Sequence, residues 1–284
     1  STAATGQNAN VNFYSGSGHI RLFGKVTNNT SNPAGGPTGI QAFHGHTLNA
    51  GTNGDIILIG NADLTSGSTA IGMDLAAWRS TSYTANGTLR TANGNIRLIG
   101  RANGGPSGNL AVAVDGTTGN RNIFAATGSG TITFDGLASG ASNIDCRLTS
   151  TDLLAASGDI RVIGQSSGGL SISNWIGDGL YLGQKAASLV TSSSSNITLR
   201  ANAISTTNTL SVNSSGTLTV EPYGNSFSVG LSWPLSNTTL AGTVSGLTLG
   251  KSTNTATITL TAATTIAGPV TMYGSGLTIN ENLA

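Results

Sequence analysis

Short alternating runs of apolar and polar residues, each closed by Gly, Asn, Ser or Asp, fill this chain from end to end. Examples are VNFY (11–14), HIRLFG (19–24), DIILIG (55–60), LAVAVDG (110–116), TITFDG (131–136), NITLRA (196–201), ATITLTA (256–262) and PVTMYG (269–274). A period of two predicts strands with one buried face. Apolar spacing of the helical kind is nearly absent. The nearest candidate helix, MDLAAWRS (73–80), is short and poorly capped. An all-β fold is expected.

One phrase recurs: SGHIRLFGKV (17–26), NGDIILIGNA (53–62), NGNIRLIGRA (93–102) and SGDIRVIGQS (157–166). A sandwich has no reason to reuse a phrase, whereas a solenoid does. Its first Ile stands at Ile20, Ile56, Ile96 and Ile160, with Ile132 equivalent, and weaker strands start near Ile40, Ile71, Leu110 and Ile144. The mean interval between strand groups is then somewhat under 20 residues. That length is expected to be one coil, stacked on the next at about 4.8 Å. Within the phrase, Asn93-Gly94 is expected to make the turn, with Gly tolerating positive φ. Ile96 and Leu98 should point inward, Arg97 outward, and Gly100 should close the strand. Asn and Ser stacked at the turns can pair along the axis. Loops such as 27–39 would absorb the unequal intervals.

Composition narrows the reading. Only 8% of residues are charged, against about 25% in ordinary soluble proteins. Gly numbers 41, and Ser, Thr and Asn supply the polarity. With 37% hydrophobic residues the chain is not of the disordered kind. A net charge of +1 offers no drive toward nucleic acid or an anionic membrane. No apolar run reaches the roughly 18 residues of a membrane-spanning helix, so no membrane insertion is expected. The opening STAATGQNAN lacks the basic and apolar regions of a signal peptide; an export signal would lie upstream or be already removed. The one cysteine, Cys146, allows no internal disulfide. It alternates with Ile144 and Leu148 and is expected to be a buried apolar residue.

From about Asn202 charge falls further and Thr rises. Within this section, SGLTLGKSTNTATITLTAATTIAGPVTMYGSGLTINENL (Ser245 to Leu283) resembles a segment of very large bacterial exoproteins, the filamentous-haemagglutinin-like family, many exported by two-partner secretion. There a GLTLGK…NTADITV…AGPITLYGG-ITIN-NL pattern recurs, and the SGDIRVIG class of phrase fits the same family. The resemblance is specific over the C-terminal section and looser upstream. It implies a right-handed parallel β-helix (β-solenoid) with irregular loop insertions, at the cell surface or secreted, serving adhesion, biofilm matrix or fibre building. Host or matrix glycans or surface proteins are its implied partners. The family's amino-terminal secretion domain is not visible, so an internal piece of a longer chain is expected. Residues 1–284 read as one continuous solenoid, with 227–240 a candidate lateral excursion. LTINENLA stops without a polar cap, and an open solenoid end can template further stacking. Self-association of a filament subunit is therefore an alternative.

Parallel β-helices also host polysaccharide-cleaving enzymes, and glycoside hydrolysis needs carboxylates about 5–10 Å apart. Asp55 and Asp159 share their place in the phrase with Asn95 and His19, which is most simply a turn position. Asp115 and Asp135 precede Gly in turn-like pairs. A non-enzyme without cofactor is expected. His44 and His46, with His19, could share a metal; histidines flanking a Gly turn are the simpler reading, and no metal is expected. Arg21, Arg97 and Arg161 hold one outward place, with Ile57 in the fourth copy. They form either a basic stripe for acidic glycans or, as favoured here, solvated charges that protect the face. Trp78 and Tyr83 flank one loop, Trp175 and Tyr181 another. They are candidate sugar-stacking platforms, with buried caps over the insertions as the alternative.

Overall fold

A computed structural model describes residues 12–27, 37–43, 45–64, 69–76, 86–104, 108–117, 119–140, 143–172, 179–241 and 243–280. Among these, all regular structure is β, in strands of three to eight residues paired in parallel. The chain is a parallel β-solenoid with three faces. Face 1 stacks eight strands: Asn12–Tyr14, Thr47–Asn49, Gly87–Thr91, Asn122–Ala126, Thr151–Ala155, Leu180–Gly183, Leu210–Asn213 and Thr238–Leu240. Face 2 stacks nine: Ile20–Thr27, Ile56–Asp63, Ile96–Asn103, Ile132–Ala138, Ile160–Gly164, Ile197–Arg200, Thr217–Glu221, Gly246–Leu249 and Val270–Met272. Face 3 is built from two sheets. Six strands run from Thr38–Phe43 to Ile204–Thr206, and three more follow at Leu231–Trp233, Ile258–Leu260 and Leu277–Ile279.

The repeated phrase is the face-2 strand. Ile20, Ile56, Ile96, Ile132, Ile160, Ile197, Leu218, Leu247 and Val270 stack as one inward column. Leu22, Leu58, Leu98, Phe134 and Val162 begin the next. Each such Ile or Leu contributes about 1.5–3 kcal/mol by leaving water. One apolar cluster built from all three faces runs from Ile20 to Ile266. Inside it Phe124 and Phe134 meet edge to face, with ring centres 4.8 Å apart. Residues 227–240 contribute Phe227, Leu231, Trp233 and Leu235 to the same cluster.

The coil is longer than the sequence suggests. Register places successive phrases in adjacent coils, so one turn takes from 21 residues (Ile197 to Leu218) to 40 (Ile56 to Ile96). The weaker strands near Ile40, Ile71, Leu110 and Ile144 are not separate coils; they are the third face of the same turn.

The roles of the phrase's glycines also differ from expectation. Gly100 does not close its strand, which continues to Asn103. It faces inward where the face-3 strand passes, and a Cβ there would lie 1.9 Å from the Ala111 carbonyl oxygen. Gly24, Gly60 and Gly136 meet the same obstacle at 1.9 to 2.1 Å. Past this contact, face 2 overlaps the outer side of face 3, and small residues fill the gap: Ala62, Ala70, Ala102, Ala111 and Ala138. Strands Ile71–Ala76 and Leu110–Asp115 are consequently buried at every position. Gly94 is likewise needed for close approach rather than for positive φ, since a Cβ would lie 2.0 Å from the Gly54 carbonyl oxygen.

Polar ladders run along the turns beside these glycines. Asn93 Nδ2 donates to Asn53 Oδ1 at 3.2 Å. The Asp/Asn/His position forms a second ladder. The Asp55 amide donates to His19 Nδ1 at 3.1 Å, the Asn95 amide to Asp55 Oδ1 at 2.8 Å, and the Thr131 amide to Asn95 Oδ1 at 3.1 Å. No helix among the described residues is long and apolar enough to cross a membrane.

Candidate functional site

The outward column of face 2 reads Arg21, Ile57, Arg97, Thr133, Arg161, Thr198. The three arginines are therefore never on adjacent strands. Arg161 pairs with Asp159 at 2.6 Å, and Arg97 reaches Asp135 at 4.0 Å. Asp135 is not at a turn: it sits within the strand Ile132–Ala138 and pairs with Arg101 at 3.1 Å. Asp115 ends the strand Leu110–Asp115 and forms an ion pair with Arg147 of the next coil. Trp78, Tyr83, Trp175 and His44 lie outside the described residues. His46 is buried and His19 is exposed at a turn. No group of three or more metal-ligating side chains occurs among the described residues.

Buried polar chemistry concentrates at two places. Asp145 is fully buried at the corner between faces 2 and 3. Its Oδ1 accepts the Ala138 amide at 2.8 Å, and its Oδ2 accepts the amides of Ser166 at 2.8 Å and Gly169 at 3.0 Å. Burial raises its pKa, against the lowering effect of these donors. Beside it, Cys146 faces the main core. Desolvation first, then the charges of Asp145 and Asp135, push its thiol well above the ordinary range, so it is an inert core residue.

The second place is a cleft on the outside of face 1. Ile123, Asp152, Tyr181 and Ser211 form one outward column there. Arg121, just before its strand, lies over that column with 9% of its side chain exposed. Its backbone amide donates to Asn86 Oδ1 of the coil below at 2.8 Å. Its Nε donates to Asp152 Oδ1 at 2.8 Å, and its Nη2 to the carbonyls of Thr151 and Gly179 at 3.2 and 2.9 Å. One side chain thus ties together successive coils. Asp152, 3% exposed, uses its second oxygen to accept Lys185 Nζ at 3.0 Å. Both cations lie over the Tyr181 ring, Arg121 at 4.9 Å and Lys185 at 4.4 Å from its centre.

Lys185 is presented by an ordered loop. The Gln184 amide donates to the Asn213 carbonyl at 2.9 Å, and the Lys185 amide to the Val190 carbonyl at 3.1 Å. Ser188 Oγ donates to the Lys185 carbonyl at 2.6 Å. Ala187 takes a left-handed conformation, φ 54°. Asn86, Arg121, Ile123, Asp152 and residues 185–189 line an open cleft of about 410 Å³. Among the described residues its charged groups are Arg121, Asp152 and Lys185. Chemically it offers a cationic corner beside an aliphatic wall.

Of the residues singled out from sequence that lie among the described residues, only Tyr181 belongs to this cluster. Arg121, Asp152 and Lys185 were missed. Their nearest signal was rarity: in a chain with 8% charged residues, charges on an otherwise Ser/Thr/Gly surface invite explanation. In the sequence, Trp78 and Tyr83 precede Asn86, and Trp175 precedes Gly179. Asn86 and Gly179 both bond Arg121.

These features define a class, the parallel β-solenoids with loops inserted at the corners. No protein-family model, curated protein or solved structure matches the chain.

Proposed function

We propose that this chain is a non-enzymatic structural solenoid of a large bacterial surface or secreted protein, serving adhesion, biofilm matrix or extracellular fibre building. The observation that carries this reading is the unbroken stacking of faces 1 and 2 through eight and nine strands. Backbone pairing along the axis gives a stiff rod of about 40 Å at the strand spacing of parallel sheets. Insertions at the corners vary without disturbing it and can offer contacts to glycans or proteins. The resemblance of Ser245 to Leu283 to filamentous-haemagglutinin-like exoproteins supports the extracellular assignment. The use of Asp115, Asp135, Asp145 and Asp152 in ion pairs and backbone bonding supports a structural rather than a hydrolytic role. Binding to a glycan array, lost in Trp78→Ala or Trp175→Ala, is the expected outcome. Cleavage of any polysaccharide on that array, with loss of activity on changing a carboxylate, would overturn the reading.

A further inference from the structure

We propose that the corner between faces 2 and 3, in the C-terminal half of the solenoid, binds a neutral hexopyranose of a polysaccharide on a shelf formed by Arg200, Glu221, Tyr223, Lys251 and Tyr273. This rests on the adhesion reading above and assigns it a site and a ligand class.

Register builds the shelf. Arg200 and Glu221 stand side by side on adjacent strands and point outward, with Arg200 Nε 3.2 Å from Glu221 Oε1. The next two outward places in this column are Gly250 and Tyr273. The Gly250 amide donates to the Val220 carbonyl and the Tyr273 amide to the Leu249 carbonyl, both at 2.8 Å. Gly250 takes φ 79° and leaves a notch between the Glu221 carboxylate and Tyr273. The loop after Glu221 brings Tyr223 to the Arg200 guanidinium, which lies over its ring at 5.3 Å from the centre. Lys251 Nζ donates to the Tyr223 carbonyl at 3.3 Å. Two asparagines fix these loops: Asn202 Oδ1 accepts the Gly224 amide at 2.7 Å, and Asn254 Oδ1 the Phe227 amide at 3.1 Å. The corner segments 201–203, 222–230, 250–257 and 273–276 that frame the shelf are all described.

The free groups on the shelf select the ligand. Among the described residues, Arg200 Nη1 and Nη2, Glu221 Oε2 and the two phenol hydroxyls make no hydrogen bond. Lys251 Nζ uses one of its three donors. A sugar diol suits such a mixture, since each hydroxyl can donate to a carboxylate oxygen and accept from a cation. A carboxylate on the ligand would face Glu221 across the notch and be repelled, which makes the ligand neutral. Tyr273, 41% exposed, offers a ring to the C–H face of a pyranose. Arg200 already covers one face of Tyr223, so that ring frames the shelf and Tyr273 takes the sugar. An open shelf holds one residue of a glycan and leaves the rest of the polymer in solvent.

The test is affinity electrophoresis of the whole chain through gels holding mannan, galactan, dextran or polygalacturonate. Tyr273→Ala, Glu221→Gln and, as a remote control, Arg161→Gln are compared with the parent. Tyr273→Ala removes an exposed ring and no hydrogen bond, so it decides the matter even if Glu221→Gln loosens the Arg200 pair. Expected is retardation by at least one of the neutral polymers that survives added salt. Both shelf variants should bind it about tenfold more weakly, and Arg161→Gln should match the parent. Retardation by none of the neutral polymers, unchanged retardation in either shelf variant, or retardation by polygalacturonate alone would overturn the proposal. Array binding that depends on Trp78 or Trp175 and ignores Tyr273→Ala would remove this site and leave the adhesion reading standing. Retardation that depends on Tyr273, with the polymer cleaved in the gel, would keep the site and remove the non-enzymatic reading.

Discussion

Gly100 lies where a side chain has nowhere to go. A Cβ would sit 1.9 Å from a backbone carbonyl of the face-3 strand, and neither strand can retreat without breaking pairing on both sides. Gly100→Ala is therefore expected to cost about 1–3 kcal/mol or more, as overpacking does. Gly16→Ala, with nothing within 4 Å, should stay within about 0.5 kcal/mol of the parent. Urea unfolding of the two variants measures the difference, and equal midpoints would mean the faces can part. The same residues mark the limit of reading the phrase from sequence. The inward places of Ile96 and Leu98 followed from alternation alone. The place of Gly100 did not, because its constraint comes from Ala111, on a different strand. A glycine in a chain this rich in glycine reads first as a turn.

Between elements, the corners are where the sequence departs from its own repeat. Asp145 follows the positions of Gly72 and Ala111 on face 3, and it replaces a small apolar residue with a carboxylate. The reason is local. In the next coil face 2 stops at Gly164, and the turn over 166–169 leaves amides pointing at the corner, which Asp145 accepts. Asp145→Asn turns one acceptor into a donor facing these N–H groups, an expected loss of about 1–3 kcal/mol for groups left unsatisfied. The pH dependence has a definite sign. Burial raises the folded-state pKa above the ordinary 3.8, so the folded chain holds this proton more tightly than the unfolded chain. The group's contribution is thus fully present below the unfolded pKa and is lost as pH rises through the folded pKa. The gap in stability between parent and Asp145→Asn should be widest in acid and narrow toward neutrality. Denaturant melts across that range give the slope, and a gap that widens with pH would contradict it.

Across the whole molecule, unequal coils explain both what was legible and what was not. Face 2 announced the solenoid because its phrase repeats. Face 1 has no phrase: Asp152 and Tyr181 align only after coils of different length are laid in register. The cleft was invisible for that reason, since no fixed spacing joins Arg121, Asp152 and Lys185. Unequal coils also leave a seam. Faces 1 and 2 run continuously, but face 3 passes from the strand Ile204–Thr206 to a new sheet beginning at Leu231–Trp233. The two share no ladder and are bridged by single bonds: the Ser228 amide donates to the Asn202 carbonyl at 2.8 Å, Thr206 Oγ1 to the Ser236 carbonyl at 3.0 Å and Asn237 Nδ2 to the Thr207 carbonyl at 3.3 Å. In a stack held by nearest-neighbour pairing, local opening starts where a pairing is missing. Buried Trp233 keeps the apolar side of the seam closed, so opening should expose backbone before core. Amide exchange in Ile204–Thr206 is accordingly expected to outpace that of Ile197–Arg200 in the same coil, with proteolysis under native conditions cutting first beside the seam, at 207–209 or 222–230. Equal protection of both strands, or first cleavage elsewhere among the described residues, would show that these few bonds hold the seam as firmly as a sheet.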